Sequence, residues 1–225
     1  MSNLYKEKIN LSVGFFSVIL IFGVAFWYIQ HNFIFHELSL PLAGCLVLFI
    51  AFKKKGFDSL FQPPRKKFWR TVFLSFLISM MYSFSVLFFM DSIGATSSTN
   101  QIAEPVTNGN YIYIFKNLFT LGVQIIGEEM LTVIPLILLI NAFLRIGLSN
   151  FRTKFFATLI TSMLFGALHL STYNWNFVQC FLLIGIGRIP DTLATMKQDT
   201  LWAGITSHIL FDWTVIFISI AGQMI

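Results

Sequence analysis

Three windows, Leu11–Gln30, Thr71–Met90 and Leu201–Ile220, run almost free of charge. Each has the roughly 20 residues an α-helix needs to cross the hydrocarbon core of a bilayer. No water-soluble fold can bury several such runs at once in a chain this short. Composition agrees, with charged residues at 11% and apolar ones at 56% of the 225, whereas soluble domains are about a quarter charged. The expected fold is therefore an all-α, polytopic integral membrane helical bundle forming one domain over residues 1–225.

The first apolar run follows Lys6 and Lys8 but is too long for a signal-peptide core and has no small-residue cleavage site after it. Phe26-Trp27-Tyr28 reads as an interfacial anchor, so this run is expected as a retained first helix. Seven crossings are expected, within a range of six to eight, at about 11–31, 38–52, 71–91, 111–145, 155–173, 176–188 and 200–222. The fourth is longer than a bilayer and should tilt, break or start in the interface, and the sixth is short enough for a half-helix. Cys45 and Cys180 lie in apolar segments and read as packing residues.

Net charge is +5, but the placement of the basic residues argues against a nucleic-acid partner. They fall between the apolar segments, at 53–55, 65–67, 70, 145, 152 and 154, whereas the connection Asp91–Asn110 has no Lys or Arg. With a cytoplasmic N-terminus in the cell membrane, every Lys and Arg except Lys116 is on the inner side, Arg188 and Lys197 included. That satisfies the positive-inside rule. The Asp91–Asn110 connection reads as a plain external loop.

Within the apolar segments Glu128, Glu129, His169, His208 and Asp212 remain. An acid at the centre of a membrane helix costs about 2.5–3.5 kcal/mol on insertion scales, which makes each a functional candidate. Phe165 and His169 are four apart, as are His208 and Asp212, so each pair shares a helix face. Glu128 and Glu129 are neighbours, about 100° apart around a helix, so one can face a cavity while the other is held by a second helix. A carboxylate and a histidine on one water could activate it against a peptide carbonyl, with a second histidine at the oxyanion. Glu128, His169 and His208 could instead hold Zn²⁺ with an open water position. Other intramembrane protease signatures (HExxH, GxGD and GxSG) are absent from the sequence. Ser207 and His208 face different directions and form no dyad.

Glu128-Glu129, Phe165…His169 and His208…Asp212, in that order, resemble the EExxxR, FxxxH and HxxxN/D motifs of the CAAX-processing and bacteriocin-processing (CPBP, or Abi) intramembrane endopeptidases. The run from Asp199 to His208, with Leu201-Trp202, resembles the lead-in to the third motif. The resemblance covers about 110–222. It implies a metal-free site in which Glu128 activates water with His169, His208 and Asp212 line the oxyanion side, and Glu129 and Phe165 support them. The implied substrate is a peptide or membrane protein, such as a bacteriocin precursor or a lipidated tail, held among membrane lipids.

Two positions depart from the pattern. Val133 stands where the first motif has arginine, so Glu129 needs either a proton or a partner on another helix. Asp212 stands where asparagine is commoner. Val133 motivates an alternative, a silent scaffold or immunity protein that binds a sensor kinase or a bacteriocin system. A proton-coupled transporter would also use buried Glu and His, but the sequence has no internal repeat.

Overall fold

The computed structural model describes residues 1–31, 36–95, 97 and 111–223, and the regular elements among them are all helical. They are α1 (Leu11–Gln30), α2 (Ser39–Leu60), α3 (Phe68–Ser92), α4 (Tyr111–Arg145), α5 (Asn150–Leu168), α6 (Ile189–Gln198) and α7 (Leu201–Gln223). A π-helical turn, Val18–Phe22, lies within α1. Another, Gln179–Gly185, and a 3-10 turn, Ile186–Arg188, lead into α6. Among the described residues five helices, α1 to α4 and α7, are long and apolar enough to cross a membrane. The chain is a helical membrane bundle. Most of the Asp91–Asn110 connection, expected as an external loop, lies outside the described residues.

Lipid tails are as apolar as the side chains, so helices in a bilayer associate through close packing and small residues. Here α4 is the centre of that packing. Of its most apolar window 72% is buried, against 22–33% in the other four spans, and Met130, Val133, Ile134, Leu136, Ile137 and Leu138 are completely covered. Against it α2 packs through two glycines. A Cβ on Gly127 would sit 2.5 Å from the Leu40 carbonyl carbon, and one on Gly44 would sit 2.8 Å from Met130 Cβ. The 35 residues of α4 form one helix that passes through Pro135 without ending. At 1.5 Å per residue that is about 52 Å, well beyond a bilayer core of about 30 Å.

Two helices end on glycine for a local reason. Gly147 (φ 84) closes α4 with Leu148 N–H donating to Phe143 O at 3.1 Å and Gly147 N–H to Leu144 O at 3.2 Å. Gly94 (φ 69) closes α3 in the same way, with Ala95 N–H on Met90 O at 2.8 Å. Both are Schellman caps.

Three expected segments are corrected. The second does not end at 52. The backbone breaks at Lys53 (φ 55, ψ −153) and helix resumes to Leu60, because Gly56 lets the chain fold back onto Leu48 and Phe52. The fifth spans Asn150–Leu168 rather than 155–173. His169 Nδ1 takes the Phe165 carbonyl at 2.8 Å, and its backbone N–H turns to Gly166 O at 3.0 Å, so the α-helical ladder stops there. The sixth, 176–188, is π and 3-10 turn rather than α-helix. It is pressed onto α5 where Gly166 would carry a Cβ 2.4 Å from Cys180 O.

Ahead of α1 the N-terminal residues form a strap. Asn141 Nδ2 donates to Tyr5 O and Glu7 O, each at 2.9 Å, and Arg145 Nη2 to Ile9 O at 2.8 Å. Asp199, between α6 and α7, accepts from Ser2 N at 2.6 Å and Ser2 Oγ at 2.9 Å.

Candidate active site

Adjacent positions on α4 send Glu128 and Glu129 to different places. Glu129 points inward and is 1% exposed. Its Oε1 accepts from Arg188 Nη2 at 2.7 Å and from His208 Nδ1 at 2.9 Å. Glu128 instead lines a cavity of about 130 Å³ together with His169, Phe165, Gln124 and the apolar side chains Phe26, Leu40 and Leu131. Gln124, one turn earlier, donates from Nε2 to Glu128 Oε1 at 2.8 Å. A hydrogen bond at that length fixes the carboxylate's rotamer, leaving Oε2 as the oxygen without a bond from Gln124.

His169 sits at the C-terminal cap of α5, its ring 4.5 Å from that of Phe165. With Nδ1 donating to the Phe165 carbonyl, Nε2 keeps its lone pair as a proton acceptor. Tyr173 stacks on the His169 ring with centroids 6.2 Å apart, brought back by the turn that follows α5.

His208 is anchored through Nδ1, and its Nε2 lies 3.6 Å from Asp212 Oδ2 one helical turn on. That distance is an ion-pair contact and too long for a hydrogen bond. Neither His208 nor Asp212 lines the 130 Å³ cavity. Phe165 is the element between, its ring 6.5 Å from the His208 ring. Glu128, His169 and Phe165 therefore share one cavity, and Glu129, His208 and Asp212 form an inner polar cluster beside it.

Arg188 is a correction. Expected among the cytoplasmic basic residues, it is 4% exposed and lies inside the site at the start of α6. Its salt bridge to Glu129 answers the question raised by Val133, which is itself completely buried. The signal was present in the sequence: between Lys154 and Lys197 Arg188 is the sole basic residue, in the apolar run Phe181–Pro190. Asp191 was also missed. It is 4% exposed and accepts from Ser75 Oγ of α3 at 3.0 Å. Following Pro190 at a helix start, it looks like an ordinary first-turn acid.

A zinc ion would need three convergent donors. Among the described residues no such group of His, Cys, Asp and Glu is gathered. His208 does not line the cavity that holds Glu128 and His169. The Glu128, His169 and His208 set does not fit that metal.

A family profile described as Type II CAAX prenyl endopeptidase Rce1-like matches residues 110–214. No match was found among curated proteins or among solved structures. The matched segment holds Glu128-Glu129, Phe165…His169, Arg188 and His208…Asp212, the side chains that converge in the site. Residues 110–214, a little under half of the chain, are thus similar to the CAAX-protease (CPBP) family of intramembrane endopeptidases.

Proposed function

We propose that the protein hydrolyses a peptide bond in a peptide or membrane-protein substrate, using a water activated by Glu128. The observation that carries this is the shared cavity: a carboxylate and a histidine with a free ring nitrogen line one apolar-walled space. Glu128 takes a proton from water as the oxygen attacks the carbonyl carbon, and the carbonyl π electrons move onto its oxygen. His169 Nε2 orients the same water. As the oxyanion collapses, the C–N bond breaks and Glu128 returns the proton to the leaving amine. His208, as the doubly protonated imidazolium flanked by Glu129 and Asp212, keeps Nδ1–H on Glu129 and donates from Nε2 to the oxyanion, with substrate entering past Phe165. Asp212 stays beside that nitrogen and sets its orientation. No step is routed through a metal.

The silent-scaffold alternative was motivated by Val133. Arg188 supplies the cation from another helix, so that motive no longer stands. Orientation with a cytoplasmic N-terminus in the cell membrane remains part of this reading. It rests on the loop lysines and arginines other than Arg188.

The test uses purified protein and an internally quenched, farnesylated peptide with a C-terminal CAAX tail. Glu128→Gln and His169→Ala should each reduce cleavage by at least about 100-fold, the lower range for a positioned acid–base group. Cleavage unchanged in both variants, with protein levels equal, would falsify the proposal.

A further inference from the structure

Arg188 touches all three motifs at once. Its Nη2 donates to Glu129 Oε1 at 2.7 Å and to the Glu128 backbone carbonyl at 3.3 Å, both on α4. Its Cζ lies 4.0 Å from the centroid of Phe165 on α5. Its Nη1 is 3.5 Å from His208 Nδ1 on α7, and that ring nitrogen meets the same Glu129 Oε1 as Arg188 Nη2. Both ends of the Arg188–Glu129 pair are nearly sealed, with side chains 3% and 1% exposed. Such a pair is held by mutual need: removing one partner leaves a buried charge uncompensated.

The remaining charges facing this pair are few. His208 approaches from α7, Asp191 follows Arg188 on α6 and is tied to Ser75 of α3, and Asp212 lies beyond His208. Acids outnumber bases around Arg188, so it is the cation on which the inner cluster depends. The planar guanidinium is also the group suited to the place, because it stacks on an aromatic face while donating in its own plane.

We propose that Arg188 is a positioning residue of the site. It keeps Glu129 ionised and thereby aligns His208, filling from α6 the role that an arginine at position 133 would fill from α4. Its effect on rate rests on the hydrolytic reading above, whereas its effect on Glu129 does not.

The experiment separates the two. Infrared spectra of purified protein in lipid nanodiscs report the C=O stretch of protonated carboxyl groups. Arg188→Met should gain a protonated-carboxyl band that is missing from wild type and from Arg188→Met/Glu129→Gln. Arg188→Lys keeps the charge and should show no such band, yet it should cleave the farnesylated CAAX probe more slowly because the Phe165 stacking and the fork are lost. An Arg188→Met spectrum identical to wild type overturns the proposal. If Arg188→Met cannot be purified, the double variant decides: recovery of a folded, monodisperse protein supports the pairing, and failure to recover overturns it. Expected bands with no cleavage by any form would instead sink the hydrolytic reading and leave the ion pair standing.

Discussion

His208 Nδ1 lies 2.9 Å from Glu129 Oε1, so the histidine of the third motif is held by the buried acid of the first. Asp212, the partner closer in sequence, is further away at 3.6 Å and 24% exposed. The two acids should therefore respond differently to loss of charge. Glu129→Gln removes the shared acceptor of Arg188 and His208, a break that costs about 3–5 kcal/mol for a buried pair. Asp212→Asn should cost less, because the 3.6 Å contact is too long for a hydrogen bond and the Asp212 side chain is only partly covered. Thermal unfolding in detergent checks the ranking, and an Asp212→Asn loss as large as that of Glu129→Gln would contradict it.

Gln124 is the other device that aims a carboxylate. Its 2.8 Å bond to Glu128 Oε1 is local, one turn along α4, and Gln124→Leu removes it without opening the core. A hydrogen bond to a charged group contributes about 1.5–3 kcal/mol, so cleavage of the CAAX probe should fall about 10- to 100-fold. The loss should appear in kcat with KM little changed, because the bond aims the Glu128 carboxylate. A change confined to KM would mean that Gln124 binds substrate instead.

Adding the arginine that the first motif calls for should not help. Val133 is completely buried in the core, and the Glu129 oxygen an arginine would seek already has Arg188 and His208. Glu129 Oε2 has no hydrogen bond, but Val133→Arg would put a second buried cation on a carboxylate whose single charge Arg188 already balances, and an uncompensated buried charge costs several kcal/mol. Expression as folded protein should drop and probe cleavage should not rise. A gain in activity would show that Arg188 does not supply the counter-charge.

How much of this was legible in the sequence follows from the range of each interaction. The apolar runs of α1, α3 and α7 and the i, i+4 pairs Phe165/His169 and His208/Asp212 are local and could be read directly. The end of α5 at Leu168 could not, since it depends on which carbonyl the His169 ring takes. Lys53 looked like a loop residue because three lysines in a row favour water, yet the fold-back over Gly56 continues the helix past them. Arg188 was misplaced for a similar reason. A basic residue before Ile189-Pro190 reads as a helix end facing solvent, and only the position of α4, 59 residues earlier, makes it an interior cation.

Close approach between α2 and α4 gives a steric prediction. A methyl at Gly127 would press on the backbone of Leu40 and Pro41, each at 2.5 Å, where no side chain can yield. Overpacking of this kind costs about 1–3 kcal/mol. Leu40 also lines the cavity of Glu128, so Gly127→Ala should lower both thermal stability and cleavage. Gly23→Ala is the control, because nothing lies within 4 Å of its Cβ position and alanine is the better helix former. Equal effects from the two substitutions would refute the packing argument.

Acid should release the N-terminal strap, and Asp199 sets where. Burial pushes its carboxyl up, but bonds from the Ser2 N–H and hydroxyl and the nearby positive amine of Met1 outweigh it, leaving the group below the usual carboxylate value. A folded-state pKa that is depressed stabilises above the unfolded value of about 3.9 and ceases to do so as pH falls through the folded value. The strap should accordingly stay closed through neutral and mildly acidic conditions and loosen only below about pH 4. Arg65 Nη2, 2.6 Å from Asp199 Oδ2, loses its partner in the same step. Amide hydrogen exchange over residues 2–10, corrected for the intrinsic pH dependence, reads the release. Asp199→Asn should show the loosened pattern already at neutral pH and no further change on acidification. Protection that is the same at pH 3 and pH 7 in the unmodified protein would mean that Asn141 and Arg145 hold the strap without Asp199.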